Sequence, residues 1–289
     1  MKSIAFIVTA FALLIASPLK AQTGPVLRWK LEKGQKFEIV SANDSKAEIE
    51  TPMGTQKMPS KMTTTSTWEV VGVDDGKIKI KTVVKRIQMS MSNPFAGEIS
   101  YDSDDDEADQ DQMTAQLAAS FKQLIGKETT VTINDRGIVQ KSDEDKDEDE
   151  GGNAMAMMMS SEMTSQMFFQ LPEKAVAKGD SWNQTIETKN NGGSVKMKNK
   201  YTYDGKAGSG TKDIHKIKLE GEVEMDIEDS NVAMELDESS VKGTLFFDKS
   251  NGYMTKAEME QKMVMQIEAG GISMTNTSES TIKTTITKK

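Results

Sequence analysis

The chain contains no cysteine and a single histidine, His215. The absence of cysteine excludes disulfides, thiolate metal sites, a cysteine nucleophile and a lipid anchor on cysteine. A site with two histidine ligands is impossible, and a Ser-His-Asp triad would need His215, yet the G-x-S-x-G motif is absent. We therefore expect the chain not to be an enzyme and His215 to be a surface residue on the lysine-rich side of its strand.

Long apolar runs are absent after the first twenty residues, and the one run there is short. Lys2 precedes an apolar or small stretch at residues 4–16, and Ala21 stands at a plausible cleavage point before Gln22. The stretch is shorter than the roughly 20 residues that a membrane-spanning helix needs. This pattern is typical of a secretory signal peptide, here over residues 1–21. We expect an exported protein, periplasmic or extracellular, that does not insert into the membrane after cleavage.

Aromatic side chains and positive charge are also scarce. Three Trp and four Tyr are few for the stacking surface of a sugar-binding cleft. Removing Lys2 and Lys20 with the leader leaves 34 basic against 45 acidic side chains, a net charge of about −11. Such a surface repels nucleic acid and anionic lipid, so no nucleic-acid partner is expected. The abundant carboxylates leave one enzymatic alternative open, a hydrolase whose acidic site the sequence does not single out.

Apolar and polar residues alternate with period two over most of the chain from Val26 onward. The clearest stretches are "GKIKIKTVVKRI", "HKIKLEGEVEMDIE" and "YMTKAEMEQKMVMQIE". Such alternation predicts antiparallel strands with one face toward a core, and hence a mainly β fold. Because several strands exceed the usual five or six residues, a strongly curved or barrel-like sheet is favoured. Up to Leu236 the even-numbered residues of this stretch are the apolar ones, and from Val241 onward the odd-numbered ones are. This change predicts a β-bulge near Asp237–Ser240.

Two stretches have helical periodicity instead, at about residues 108–125 and 153–170. Gly126 fits the position that follows the first helix, and Pro172 forces the chain out of the second. The second helix carries methionine at every fourth position: Met155, Met159, Met163 and Met167. Each helix follows an acidic run, at residues 102–111 and 142–152, that we expect to be solvated and mobile.

The remaining chain, residues 22–289, is long enough for a single β-rich domain. Short internal similarities pair "KGQKF" with "KGDSW", and "NDRGIVQK" with "DKSNGYMTK". They predict two related halves, at about residues 26–142 and 176–287, with the Met-rich helix as the bridge between them.

Two stretches approach known ligand-binding motifs without matching them. "GKAGSGTK" (Gly205–Lys212) lacks the G-K-[ST] order of a phosphate-binding loop and lies between two strand patterns, which predicts a hairpin. Asp102, Asp104 and Asp106 have EF-hand spacing, but Glu107 stands where the loop needs glycine. No nucleotide site or EF-hand is therefore predicted, and weak cation binding by the acidic runs stays an alternative.

The stretch "LPEKAVAKGDSW" at residues 171–182 has a structural explanation in full. The proline ends a helix, Gly179-Asp180 is a turn pair, and Trp182 begins an alternating strand. Together with "GTLFFDKSNG" and "LRWKLEKGQKF" it resembles an uncharacterised family of exported bacterial proteins, a domain of unknown function, over about residues 27–285. The resemblance implies export and no established activity. More loosely, the predicted architecture looks like the half-barrels of periplasmic lipoprotein carriers, without a shared motif.

Methionine is the residue type in clear excess, with 21 in 289 residues. Its flexible side chain fills irregular core space and adaptable apolar surfaces, and its thioether also binds Cu(I). Ordinary core packing, a groove for an apolar ligand and a copper site therefore all remain open. The candidate ligand-binding residues are Met155, Met159, Met163, Met167, Met259, Met263 and Met265.

These observations favour an exported, non-enzymatic, β-rich binding or envelope protein whose ligand the sequence does not name. One alternative is a carrier that holds an apolar, acyl-chain-like molecule in a Met-lined groove. Another is a Cu(I)-binding protein, and the third is the hydrolase. No cofactor is expected, and the expected partner is an apolar small molecule or an envelope protein.

Overall fold

The structure, a computed structural model, describes residues 24–52, 54–93, 97–105, 112–140, 167–190, 193–208, 213–227, 232–269 and 272–289. The strands are β1 (Lys36–Thr51), β2 (Gly54–Asp74), β3 (Lys77–Asn93), β4 (Gly97–Asp102), β5 (Glu128–Asn134), β6 (Val139–Gln140), β7 (Ser181–Asn190), β8 (Gly193–Lys206), β9 (Ile214–Ile227), β10 (Val232–Asp248), β11 (Tyr253–Ala269) and β12 (Ile272–Lys288), and the helix is α1 (Gln112–Lys122).

The twelve strands form one antiparallel sheet in the order β6-β5-β3-β2-β1-β12-β11-β10-β9-β8-β7, with β4 paired to β3. Most neighbours are consecutive in sequence, but β1 pairs with β12 from Phe37–Lys288 to Glu50–Thr275, which places both terminal strands at the centre. No ladder joins β6 to β7 within the described residues, so the sheet is open. The predicted mainly β fold of long antiparallel strands is confirmed, whereas its barrel-like form is not.

Two local strand predictions are also confirmed. The register of β10 against β11 shifts between Leu236 and Glu238, so Asp237 is the bulged residue. Gly179 has a φ of +96°, a conformation that glycine adopts without strain. The next strand then starts at Ser181, and Trp182 packs against the main core while its neighbours face solvent.

The helical prediction is correct for one segment only. The predicted helix at about 108–125 is present as α1, a shorter helix, and Gly126 follows it with a φ of +76°. Of the predicted helix at 153–170, residues 153–166 lie outside the described ranges and 169–170 are not helical. The described part of the chain therefore has one helix instead of two, and the apolar residues around Phe169 pack into the sheet core.

The main core lies on one face of the sheet, which we call the inner face, toward one end of the strands. Trp29 packs edge-to-face against Phe168 and Phe247, with ring centroids 5.6 Å apart in both pairs. Trp68 stacks on Phe168 at 4.7 Å. Such geometries add to the apolar burial of these large rings. In the order of the sheet, the strands β5, β3, β2, β1, β12, β11, β10, β9 and β8 all contribute residues to this cluster. The cluster therefore packs across nearly the whole width of the sheet.

Two non-sheet segments, residues 25–35 and 167–177, fill this core and bind each other. The Arg28 guanidinium donates to the carbonyl oxygens of Pro172 at 2.7 Å and Glu173 at 2.6 Å. The Val176 amide donates to the Pro25 carbonyl at 3.1 Å. The segments also reach the sheet near both of its ends, because Leu171 N–H donates to Arg136 O and Gln170 N–H to the Gln184 side chain.

A smaller core lies under α1 on the same face. The helix contributes Ala118 and Phe121, which pack with Ile87 of β3 and Tyr101 of β4. The rings of Tyr101 and Phe121 lie 5.3 Å apart. The helix thereby covers the part of the inner face that β3 and β4 form.

The ladder between β9 and β10 ends before the strands do. It runs from Ile214–Asp248 to Gly221–Val241, and residues 222–227 of β9 and 232–240 of β10 continue without backbone pairing to each other. Both stay paired on their other sides, to β8 and β11. The sheet therefore splits at this point, and two strand edges face a cleft that we call the β9/β10 cleft.

Candidate functional site

The two faces of the sheet differ sharply in charge. Between Phe37 and Ile49, every second residue of β1 lies on the inner face, and none of these is charged. The same holds for residues 56–70 of β2, 257–267 of β11, 272–286 of β12 and 215–227 of β9, whose inner-face positions carry no lysine, arginine, aspartate or glutamate. The outer face of these strands carries the lysines and carboxylates. The uncharged inner face continues well beyond the packed core.

Beyond the core, the inner face is rich in methionine. Met62 lies directly opposite Met89, Met265 lies opposite Leu236, and Ile267 lies between Met234 and Met274. We call this surface the methionine face. It comprises Met58, Met62, Met89, Met91, Met197, Met225, Met234, Met263, Met265 and Met274. Most of these side chains are half-buried and Met234 is 39% exposed. The arrangement is a broad, adaptable apolar surface in contact with solvent.

Small polar residues are interspersed with the methionines beyond the aromatic core. Ser45 and Ser60 hydroxyls lie 2.7 Å apart, and those of Ser41 and Thr284 lie 3.1 Å apart. Among the described residues, four buried side-chain atoms of the inner face have no hydrogen-bond partner: Asn43 Oδ1, Ser66 Oγ, Trp68 Nε1 and Asn276 Oδ1. A buried polar atom without a partner costs about 1–3 kcal/mol. Because these atoms are spread along the strands and lie below the surface, they do not mark a single ligand site.

The methionines predicted from the sequence are divided between core and exposed surface. Met167 and Met259 are 7% and 6% exposed and belong to the main core. Met263 and Met265 lie on the methionine face and are half-buried. Met155, Met159 and Met163 lie outside the described residues. The other methionines of the face, such as Met62 and Met89, were missed as site residues, because only the pairing of β2 with β3 and its bulge place them on this face.

His215 is buried, and its predicted surface position is wrong. It lies two residues before Ile217 and therefore on the same inner face, away from the lysines. Its Nδ1 lies 2.7 Å from the Tyr203 hydroxyl and its Nε2 lies 3.3 Å from an Asp213 oxygen. Burial lowers the pKa of His215, and Asp213 opposes this only in part. Burial raises the pKa of Tyr203. The hydrogen bonds of His215 to Tyr203 and Asp213 satisfy these buried groups, as in a structural network.

The first acidic run is partly fixed rather than mobile. Asp102 accepts hydrogen bonds from Arg86 Nε at 2.9 Å and Gln88 Nε2 at 2.9 Å, and Asp104 lies 3.2 Å from Arg86. The bond from Arg86 holds the Asp102 pKa well below its usual range. Across the described residues, no group of three or more histidine and carboxylate side chains is arranged to hold a metal ion.

The outer face has a groove of about 780 Å³ that crosses β2, β1, β12, β11 and β10. Side chains of both charge signs line it, and some pair across strands, as Lys61 does with Asp44 at 3.8 Å. Because its lining is charged, this groove does not suit an apolar ligand. The methionine face is therefore the candidate site for one.

The sequence matches a protein family of unknown function, DUF6263, over residues 75–147 and 153–254. These two stretches cover more than half of the chain. The chain belongs to the DUF6263 family. This confirms the family resemblance expected from the sequence, and the matched region includes the bulged strand β10 and the segment at 167–177. No curated protein matches the chain.

Solved structures share only a distant likeness with the chain. The outer membrane channel OccAB4 of Acinetobacter baumannii is 7% identical, with 89% of this chain and 99% of that chain covered and a TM-score of 0.26. An outer membrane channel of Pseudomonas putida F1 is 10% identical, with 90% and 97% covered and a TM-score of 0.24. DynF from the dynemicin biosynthesis pathway of Micromonospora chersina is 9% identical, with 90% and 85% covered and a TM-score of 0.24. These scores carry no argument about function.

Among the described residues, no helical segment has both the length and the hydropathy that crossing a bilayer requires.

Proposed function

We propose that the protein is an exported, non-enzymatic carrier that holds a single-chain amphiphile with an uncharged head against its methionine face. The observation that supports this most directly is the contrast between the two faces. Exposed positions on the outer face carry charge, whereas partly exposed positions on the inner face carry methionine, isoleucine and small polar residues. If both faces only contacted solvent, both would be expected to carry charged residues. An apolar ligand on the inner face explains why that face has none.

The small polar residues of the inner face support the choice of an uncharged head group. An acyl chain along the methionine face brings its head near one of the small polar side chains on that face, such as Asn43, Ser45 or Asn276. A hydroxyl group can donate a hydrogen bond to such a side chain and accept one from it. A carboxylate or phosphate head would lie on a face without lysine or arginine on β1, β2, β11 and β12, and its desolvation would go uncompensated.

The affinity for an apolar probe should depend on the charge of the inner face alone. Met263→Lys places an ammonium group on the methionine face, and the adjacent Val264→Lys places one on the outer face of the same strand, beside Glu238. Binding of N-phenyl-1-naphthylamine, and its displacement by monoolein, should weaken about tenfold or more in the first variant because the buried charge is desolvated. The second variant should bind like the wild type.

The leucine swap separates this proposal from copper binding. Met263→Leu together with Met265→Leu keeps volume and apolarity, so binding of the neutral probe should change little. Cu(I) affinity, if these thioethers supply it, should disappear because leucine has no sulfur. Failure of the wild type to bind either the probe or monoolein, or equal weakening by Met263→Lys and Val264→Lys, would contradict the carrier proposal. Tight Cu(I) binding that the swap abolishes would favour a metal site instead.

A further inference from the structure

The β9/β10 cleft has two strand edges. Residues 222–227 and 232–240 are extended, and among the described residues each has a ladder on one side only. Along an antiparallel strand, about half of the backbone N–H and C=O groups point to each side. Apart from the two Val223 groups, which the Ser239 side chain binds, each edge therefore has backbone donors and acceptors outside any described ladder. Such an edge is the surface to which an additional strand binds.

A serine side chain keeps the cleft open at its base. The Ser239 hydroxyl accepts a hydrogen bond from the Val223 amide and donates one to the Val223 carbonyl, both at 2.7 Å. It thereby takes both backbone groups that a partner on β10 would otherwise bond. The bulge at Asp237, two residues away, bends β10 where the edge becomes free. The split is thus built by particular residues rather than by fraying of strand ends.

The two open edges are acidic and contain no lysine or arginine. Glu222, Glu224 and Asp226 alternate along β9, and Glu235, Asp237 and Glu238 follow on β10. Lys198 pairs with Glu222 and Glu224, and Lys262 pairs with Glu238. Asp237 accepts a hydrogen bond from Gln266 Nε2 at 3.1 Å, and the ion pairs found among the described residues do not include Asp226, Glu235 or Asp237. The alternate positions on the inner side are apolar, for example Met225 and Leu236.

The outer edge of β7 is a natural comparison within the same sheet. Within the described ranges it is also paired on one side only, with β8, but its sequence "SWNQTIETKN" has one acidic and one basic residue. Backbone groups alone therefore do not distinguish the edge of β7 from the β9/β10 cleft. The two differ in charge, and the acidic residues at the cleft favour a basic partner.

We propose that the β9/β10 cleft binds an extended segment of a partner protein that pairs with an open strand edge. The segment is amphipathic. Its lysines or arginines face the outer side and meet the carboxylates of β9 and β10, while its apolar residues face the inner side beside Met225 and Leu236. Main-chain hydrogen bonds supply affinity, and the alternation of charge and apolar residues supplies selectivity. This proposal stands apart from the carrier function and does not depend on it.

The experiment uses the full mature chain and the peptide Lys-Val-Lys-Val-Lys-Val-Lys, acetylated and amidated. Calorimetry should show binding that weakens with salt, because exposed charge pairs are screened. A second peptide of the same sequence, N-methylated at every backbone amide, keeps the charges but has no donors for a strand edge, and it should not bind. A third peptide with glutamate in place of lysine should not bind either.

Matched charge reversals locate the site. Glu224→Lys with Glu235→Lys should weaken binding about tenfold or more, because attraction becomes repulsion. Glu48→Lys with Glu260→Lys makes the same change of net charge on β1 and β11, which are paired on both sides, and should leave binding within about twofold. On binding, amide hydrogen exchange should slow in residues 222–227 or 232–240.

Three results would overturn the proposal. Binding of the N-methylated peptide as tightly as the parent would show attraction by charge alone. Slower exchange on β7 instead of the cleft would place the partner at the other edge. No binding of the parent peptide by a protein whose circular dichroism shows the folded sheet would exclude this chemistry for the cleft.

Discussion

Two glycines with similar backbone conformation differ in what surrounds them. Gly34 and Gly252 have φ values of +89° and +70°, in the region that other residues rarely adopt. A Cβ at Gly34 would meet open space, whereas one at Gly252 would lie 2.3 Å from Lys30 Cβ and 2.5 Å from Lys30 N. The Gly252 carbonyl also accepts the Lys30 amide at 2.9 Å, so this turn binds the segment at 25–35.

The two alanine variants should therefore separate backbone strain from steric exclusion. Gly34→Ala should lower the free energy of unfolding by about 1 kcal/mol, the cost of a positive φ for alanine. Gly252→Ala should lower the free energy of unfolding by roughly 1–3 kcal/mol more than Gly34→Ala does, because the segment at 25–35 must shift away from the turn. Urea unfolding measures both changes. Equal losses would mean that Lys30 is not held against the turn.

His215 predicts a specific loss of stability in mild acid. Its pKa is lowered in the folded protein, mainly by burial, so the unfolded chain binds a proton more readily. The free energy of unfolding should therefore fall as the pH drops below about 6.5, the ordinary value for histidine. In His215→Gln this component should be absent. Since the chain has one histidine, its imidazole proton signal can be titrated directly by NMR, and a pKa at or above the ordinary value would contradict the burial argument.

At the scale of elements, the serine at the base of the β9/β10 cleft decides where two strands separate. Ser239→Ala removes two hydrogen bonds to Val223, and a net cost of about 1–3 kcal/mol is expected. Exchange of the Val223 amide should become faster. Ser240→Ala, one residue along the same strand, should change stability by less than about 0.5 kcal/mol. If both variants lose the same stability, Ser239 does not bridge the strands in solution.

The sequence predicted the strands better than their partners. Alternation is a local property, so it identified strand β9 and even the bulge at Asp237. It does not encode pairing, and neither the β1–β12 ladder nor the end of the β9–β10 ladder could be read from it. For the candidate site, Met263 and Met265 were predicted, but Met62 and Met89 were not, because their face is defined only once neighbouring strands are in register. His215 was predicted to lie on the surface, although its spacing of two residues from the apolar Ile217 already placed both on the same face of the strand.

At the scale of the whole molecule, the sheet is centred on the first and last strands and open at β6 and β7. Because β6 and β7 are the two edge strands, the chain segment between them joins opposite edges of the sheet. Pairs such as Ile39–Ile286 are almost as far apart in sequence as the chain allows. Folding is slow when contacts are this non-local, because loop-closure entropy is lost before they form.

A circular permutant should fold faster without becoming more stable. Joining Lys289 to Gly24 by a Gly/Ser linker and opening the chain before residue 167 makes β12 and β1 consecutive while every described ladder is kept. Refolding from urea, followed by Trp fluorescence, should accelerate about tenfold or more, with the midpoint little changed. An unchanged rate would show that β1–β12 pairing is not limiting.

The position of β12 beside β1 also has a consequence for biosynthesis. A ribosome adds about 5–20 residues each second, so tens of seconds separate the emergence of β1 from that of its central partner. During this interval β1 and β2 expose an unpaired edge and an apolar face that nothing in the emerged chain can cover in the native way. We therefore expect the yield of the protein in cells to depend on a chaperone that protects extended apolar segments, more than on the stability of the finished sheet.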